Sequence, residues 1–287
     1  MDSANKYCLI TGASRGLGKA LAEHFWQQGW SLILLARGQQ VLSEVVRALG
    51  ERAGQSLHTI VADLARQEEI ERVGETAKSL VPRLDALINN AGIQGTVGPT
   101  WENDWDEWLE TLRVDLLAPV GLCRLVVPWM IVNGGGSIIS LSGGGATGPR
   151  ANFSAYATAK TGLVRFSETL AEELKPHNIR VNCIAPGTMG TAMLEAVIAK
   201  GESAAGKMEY EIATRVLREG GAPMQRVAEL CHFLASDAAR GITGKLISAV
   251  WDDWEHWPEH IDELRTSDVY TLRRIAGRDR GFSWGDK

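Results

Sequence analysis

Tyr156 and Lys160 lie four residues apart in a stretch, Ala155 to Leu174, with helical periodicity, so both side chains project from one helix face. A free tyrosine ionises near pH about 10, too high for easy proton exchange at neutral pH. A nearby ammonium favours the phenolate and lowers that value, which makes the pair a means of giving a proton to an oxygen or taking one from it. Just upstream, Ser140-Leu-Ser142-Gly143-Gly144-Gly145 supplies two hydroxyls and three glycines. Ser154 precedes Tyr156 by two residues and would point away from it on a regular helix. Near the start of the chain, Thr11-Gly12-Ala13-Ser14-Arg15-Gly16-Leu17-Gly18 joins an apolar strand to a helix. Glycines at such a turn let the backbone approach a pyrophosphate while the first helical N–H groups point at it.

The elements that must position these residues alternate. Short β-rich apolar runs are expected as strands at Tyr7 to Ile10, Ser31 to Ala36, Leu57 to Ala62, Ala86 to Asn89, Ser137 to Leu141, Arg180 to Ile184 and Lys245 to Ser248. Helical patterns lie between them, among them Leu17 to Gln28 and Glu68 to Leu80. Strands apolar on both faces and separated by helices imply an α/β fold, a doubly wound parallel sheet of Rossmann type. A length of 287 residues, 45% hydrophobic and 23% charged, suits one folded domain and neither a disordered nor a membrane-spanning chain. Apolar runs read as too short to cross a bilayer, and no basic region precedes an apolar core at the N-terminus, so a cytoplasmic protein is expected. Cys8, Cys123, Cys183 and Cys231 are scattered without metal-ligand spacing and read as free thiols. A net charge of −5 without a basic cluster argues against nucleic acid as a partner.

Two segments break the rhythm. Residues 188–221, rich in Ala, Gly and Glu, read either as a flap over a site or as a plain helical insertion. The extension 250–287, following a domain at 1–249, holds four of the ten tryptophans. Trp251, Trp254 and Trp257, spaced by three, suggest one face of a helical turn packed on the core or on another subunit, or else a tail that closes as a lid and brings Asp252 and Asp253 to a polyhydroxylated substrate. His256 and His260 have ligand-like spacing, but Pro258 lies between them and no third ligand is evident, so no metal is expected.

The turn pattern TGxxxGxG resembles the first signature of the short-chain dehydrogenase/reductase family, and the resemblance runs from about residue 6 to 248. Asp63 followed by Leu64 looks like the family's adenine contact, Asn89-Asn90-Ala91-Gly92 like its NNAG motif, Tyr156-x-x-x-Lys160 like its catalytic pair, and Pro186-Gly187-x-x-x-Thr191 like its segment beside the nicotinamide. The resemblance implies a dinucleotide held by Gly12, Ser14, Arg15, Gly16, Leu17 and Gly18, with Lys160 on the ribose hydroxyls and Tyr156 as proton donor. It also implies a homodimer or homotetramer and a small carbonyl or alcohol substrate.

Charge decides the expected cofactor. The second strand ends without the carboxylate that reads a 2′-hydroxyl, and Arg37 follows it, with Arg15 nearby in the turn. Guanidinium groups suit a 2′-phosphate, so NADP(H) is expected. Two residues depart from the family pattern. The usual catalytic serine, thirteen residues before the tyrosine, is Gly143, which points to Ser142 as its substitute; the usual asparagine is Asp115, which either faces Lys160 or turns away. The expected activity is reduction of a ketone or aldehyde to an alcohol, or the reverse. A sugar-nucleotide epimerase or dehydratase and a catalytically inactive NADP-binding regulator remain as alternatives.

Overall fold

The computed structural model describes residues 5–284. Seven strands form one parallel sheet in the order β3-β2-β1-β4-β5-β6-β7: β1 Tyr7–Thr11, β2 Ser31–Ala36, β3 Leu57–Val61, β4 Ala86–Asn89, β5 Gly136–Leu141, β6 Ile179–Ala185 and β7 Leu246–Ser248. All six residues of β2 are buried, and from Leu32 to Ala36 the strand is an unbroken apolar run because it is covered on both faces. α1 (Gly16–Gln27), α2 (Gln39–Leu49), α3 (Gln67–Leu80), α4 (Trp105–Leu112), α5 (Ala118–Val132) and α6 (Ser154–Leu174) follow in chain order. Residues of α1 and α2 close one face of the sheet, and residues of α3, α5 and α6 the other. Strand order reverses between β1 and β4, and the carboxyl ends of the strands at such a switch point are where open α/β sheets bind ligands.

The run Trp105–Val132 is helical over 28 residues, with a π turn at Arg113–Leu117 between α4 and α5. It is long and apolar enough to cross a membrane by length and composition alone, which corrects the expectation of short apolar runs only. Its apolar character has a local cause: Leu122, Cys123, Val126 and Met130 are buried in the core on that face of the sheet.

Residues 188–221 are helical: α7 (Ala192–Lys200), α8 (Glu202–Ala205) and α9 (Lys207–Glu219). The ends of the excursion are tied where the Ala222 N–H donates to Thr188 O at 2.8 Å. Leu194, Val197, Ala205, Ala213 and Val216 form a small core of their own against Phe153, which lies just before α6.

The chain then forms α10 (Met224–Ala235), which packs on α1, and α11 (Ile261–Thr266). Trp254 and Trp257 are buried on the α1 and α10 side, whereas Trp251 is 85% exposed, so the three tryptophans do not share one face. The reason is that helical geometry, a 3-10 helix over Trp254–His260, begins only after Trp251. That 3-10 helix also runs through Pro258 and both histidines; His256 pairs with Asp253 at 2.9 Å and His260 faces Glu263 at 3.8 Å. Asp252 accepts the Ser248 N–H at 2.7 Å, so both carboxylates of the Asp pair are engaged locally. Further on, the tail binds the last strand and α6: Leu246 N–H donates to Tyr270 O, Lys245 Nζ to the Ser267 and Val269 carbonyls, and Leu272 N–H to Glu168. This occupies hydrogen-bonding groups that an edge strand would otherwise expose.

Candidate active site

The glycine turn is built by close approach. Gly12 and Gly16 have φ of +67° and +53°, a region that favours glycine. A Cβ on Gly12 would lie 2.9 Å from Ala91 Cα, and one on Gly18 would fall on the Gly12 carbonyl. Thr11, at the end of β1, holds the neighbouring loop: its hydroxyl accepts the N–H groups of Asn90 at 3.0 Å and Ala91 at 2.9 Å and donates to Ile88 O. The Asn90 side chain donates back to Thr11 O at 2.8 Å. Sequence reading marked Asn90 and passed over Thr11, although Thr11 stands in the same turn motif; only pairing of β1 with β4 makes its hydroxyl a bracket.

The opposite wall comes from the segment after β6. A Cβ on Gly16 would be 3.7 Å from Thr191 Cγ2, so the glycine turn and the Pro186-Gly187-x-x-x-Thr191 segment face each other. Gly187 has φ +81°. α1 begins without a side-chain cap and without an acidic residue in its first turn, which leaves its positive end open to an anion. Arg15 and Arg37 are both exposed, and the acid-free end of β2 lies directly before Arg37. Asp63, after β3, turns one carboxylate oxygen onto the Ala65 N–H at 3.1 Å. Ser14, Leu17 and Leu64 lie beside these residues in the chain, Leu17 and Leu64 with their side chains in the core. The residues present fit a dinucleotide: a glycine cradle a Cβ would fill, an uncapped helix start, and two exposed arginines, one in the glycine turn and one just after β2.

Tyr156 and Lys160 emerge from the first turns of α6, and both are buried. The Lys160 ammonium lies 5.4 Å from the centre of the Tyr156 ring and donates to Leu141 O at 3.0 Å. Asp115, on the π turn, is wholly buried and faces Lys160, with Oδ2 3.2 Å from Nζ and Oδ1 accepting the Ile93 N–H at 2.8 Å. π turns insert an extra residue into a helix and frequently mark functional sites. Gly92 borders this pair, since a Cβ there would sit 3.2 Å from Asp115 Oδ2 and 3.4 Å from Lys160 Nζ.

Burial alone would lower Lys160, but the Asp115 carboxylate, with smaller contributions from Tyr156 and Cys183, offsets it and holds the ammonium above the ordinary lysine range. Burial pushes the Asp115 carboxyl up against the pull of Lys160 and the Ile93 N–H. Tyr156 differs from expectation. Burial raises its phenol, and this outweighs the lowering by Lys160 and Arg150, while Asp115 adds to the rise. The lysine therefore moderates the phenol's pKa without bringing it below that of free tyrosine.

The two serines separate. Ser140 Oγ accepts from the Asn89 amide at 3.3 Å within the core. Ser142 Oγ is buried without a hydrogen-bond partner among the described residues, on a backbone fixed by its N–H to Ile184 O at 2.8 Å. A Cβ built on Gly143 would fall on the Tyr156 hydroxyl, so glycine there leaves the space the phenol occupies. Ser154 Oγ is held by the Trp108 indole N–H at 3.1 Å.

A parallel sheet with a glycine turn at its switch point, and a buried Tyr-Lys pair, defines an oxidoreductase that works with a dinucleotide. The short chain dehydrogenase family model matches residues 6–202, and the chain belongs to the short-chain dehydrogenase/reductase family. It is 34% identical over 244 residues to the human dehydrogenase/reductase SDR family member 4, covering 85% of this chain and 86% of that one. To a Thermotoga maritima 3-oxoacyl-acyl-carrier-protein reductase it is 32% identical over 249 residues, covering 86% and 97%. Among solved structures it superimposes on NAD+-bound xylitol dehydrogenase with TM-score 0.77 at 25% identity, covering 86% of this chain and 98% of that one. A Shigella flexneri short-chain dehydrogenase complexed with NADP gives TM-score 0.72 at 26% identity, covering 85% and 96%.

Proposed function

We propose that the protein is an NADPH-dependent carbonyl reductase that converts a ketone or aldehyde to an alcohol, or runs the reverse reaction. The observation that carries this reading is the buried Tyr156 phenol beside the Lys160 ammonium, which is paired with Asp115 next to Gly92. NADPH, when bound, supplies the hydride that reaches the carbonyl carbon. Tyr156 gives its proton to the carbonyl oxygen, and its raised pKa keeps it a proton-bearing donor at neutral pH. Lys160, fixed by Asp115 and Leu141 O, stabilises the phenolate left behind. Ser142, with its free buried hydroxyl, orients the carbonyl oxygen.

Relatives include proteins bound to NADP and to NAD+, so cofactor choice rests on this chain's own charges. Arg15 and Arg37 favour a 2′-phosphate, and no acid at the end of β2 opposes it. A homodimer or homotetramer belongs to the same proposal; exposed Leu117 and Val132 offer apolar surface for it. The test follows NADPH absorbance with a panel of ketones, aldehydes and keto-sugars. Turnover lost in Tyr156→Phe with NADPH binding retained supports the reading. Unchanged turnover in that variant overturns the mechanism, and NADPH binding without turnover across the panel favours the regulator alternative.

A further inference from the structure

Tyr156 has a second cation beside it, from a residue that sequence reading did not single out. The Arg150 guanidinium lies 3.8 Å from the centre of the Phe153 ring and 5.8 Å from that of the Tyr156 ring, in the loop that follows Gly143. It is held at 2.7 Å by Glu209, 59 residues away on α9, and both side chains are largely buried, at 16% and 21% exposure. Phe153, the platform under the guanidinium, is also the residue on which the core of α7 and α9 is built. Arg150 and Phe153 therefore both join the loop before α6 to the helical excursion.

Each cation near the phenol has its own carboxylate. Lys160 on α6 is matched by Asp115 on the π turn, deep in the core, and Arg150 in the loop is matched by Glu209 on α9. The first pair is wholly enclosed, while the second spans two segments whose relative placement fixes it. The geometry points to Arg150 as a positioning residue for Tyr156: clamped by Glu209, its guanidinium supports the negative charge that forms on the tyrosine oxygen when the proton leaves, and it makes that support depend on the seating of α9. This deepens the reductase reading and rests on Tyr156 being the proton donor.

The two members of the pair have opposite effects on the phenol. Removing the guanidinium takes away a favourable charge, whereas removing only the Glu209 carboxylate leaves the guanidinium unneutralised on its Phe153 platform. A merely structural salt bridge would give the two variants the same phenotype. The test is tyrosinate absorbance in the near ultraviolet, titrated on the full chain with and without saturating NADP+, with Tyr156→Phe subtracted to isolate this residue. Arg150→Met is expected to move the Tyr156 midpoint up, by on the order of one pH unit for a charge at this range. Glu209→Gln is expected to move it down, and Arg150→Lys, which keeps the charge, to stay near the parent value. The alkaline limb of kcat for reduction of 2,3-butanedione should move in the same directions. Shifts of the same sign in Arg150→Met and Glu209→Gln, or no shift in either, overturn the inference. Because the absorbance reads the phenol directly, a protein that turns over no carbonyl would defeat the reductase reading without deciding this one.

Discussion

Asp115→Asn tests whether the buried ion pair holds Lys160 in place. The carboxylate is 3.2 Å from Nζ; at an effective dielectric constant of about 20 that attraction is about 5 kcal/mol before desolvation is counted. Removing one partner of a buried pair typically costs about 3–5 kcal/mol, because the remaining charge stays buried without compensation. Asparagine is nearly isosteric and can still accept the Ile93 N–H, and Lys160 keeps Leu141 O, so the low end, about 3 kcal/mol, is expected. Denaturant unfolding reads this as a lower midpoint, and thermal unfolding as a melting temperature reduced by about 6–12 °C at about 2–4 °C per kcal/mol.

The pH dependence of that loss has a definite sign. In the parent protein Lys160 is raised by Asp115, so its contribution is fully present below the unfolded lysine value of about 10.4 and is lost as pH rises through the folded value above it. In Asp115→Asn the main opposition to the burial that lowers the ammonium is removed and only Tyr156 and Cys183 still raise it, so the folded lysine is expected to titrate below about 10.4, with the unfolded chain binding more protons over that interval. Stability of the variant then rises with pH as Lys160 sheds its proton. The gap between the two proteins should be largest near neutrality and narrow towards pH about 10. A variant within about 1 kcal/mol of the parent at pH 7, or a gap independent of pH, would refute the ion-pair argument.

Gly143→Ser should destabilise the protein by about 1–3 kcal/mol and slow reduction, since the added side chain falls on the Tyr156 hydroxyl; a faster enzyme would show instead that the site lacks a hydroxyl at this position. Ser142→Ala should lose far more activity than Ser140→Ala, whose hydroxyl serves the Asn89 amide in the core, and equal small losses would count against Ser142. Replacing Arg15 and Arg37 together by Ala should weaken NADPH binding while leaving NADH binding nearly unchanged, measured by nicotinamide fluorescence titration; parallel losses for both cofactors would refute the 2′-phosphate assignment. His24 and His232 meet between α1 and α10 with ring centres 5.4 Å apart, and burial lowers both below the ordinary histidine value. The unfolded chain then takes up protons first, so melting temperature should fall as pH drops below about 6.5 and the slope should flatten when both are replaced by Gln.

The frame of the molecule is legible from local pattern because burial imposes it locally. β2, enclosed on both faces, announces itself as a five-residue apolar run, Leu32 to Ala36, and Tyr156 and Lys160 share a face because α6 is regular where they stand. Legibility ends where a residue's partner is set by chain closure or by an irregular turn. Nothing in helical periodicity indicates that Asp115 sits on a π turn, which shifts the phase of every side chain after it and aims this carboxylate at Lys160. Arg150 and Glu209 are joined only because the helical excursion folds back onto Phe153. Trp251 reads as part of a stripe with Trp254 and Trp257, yet the helical turn that would align them starts too late in the chain.

Both departures from the family pattern act on one atom. Glycine at 143 removes a side chain from the space taken by the Tyr156 hydroxyl, and aspartate at 115 places a carboxylate within the field of the same phenol. The carboxylate raises the phenol's pKa directly and, by pairing with Lys160, keeps its neighbouring cation charged, so its two influences on Tyr156 oppose each other. Arg150 adds a second cation, held by Glu209 on α9 and outside the buried pair. The proton affinity of Tyr156 is thus set by groups on α6, the π turn and the loop before α6, and no single residue type in the Tyr-x-x-x-Lys motif determines it.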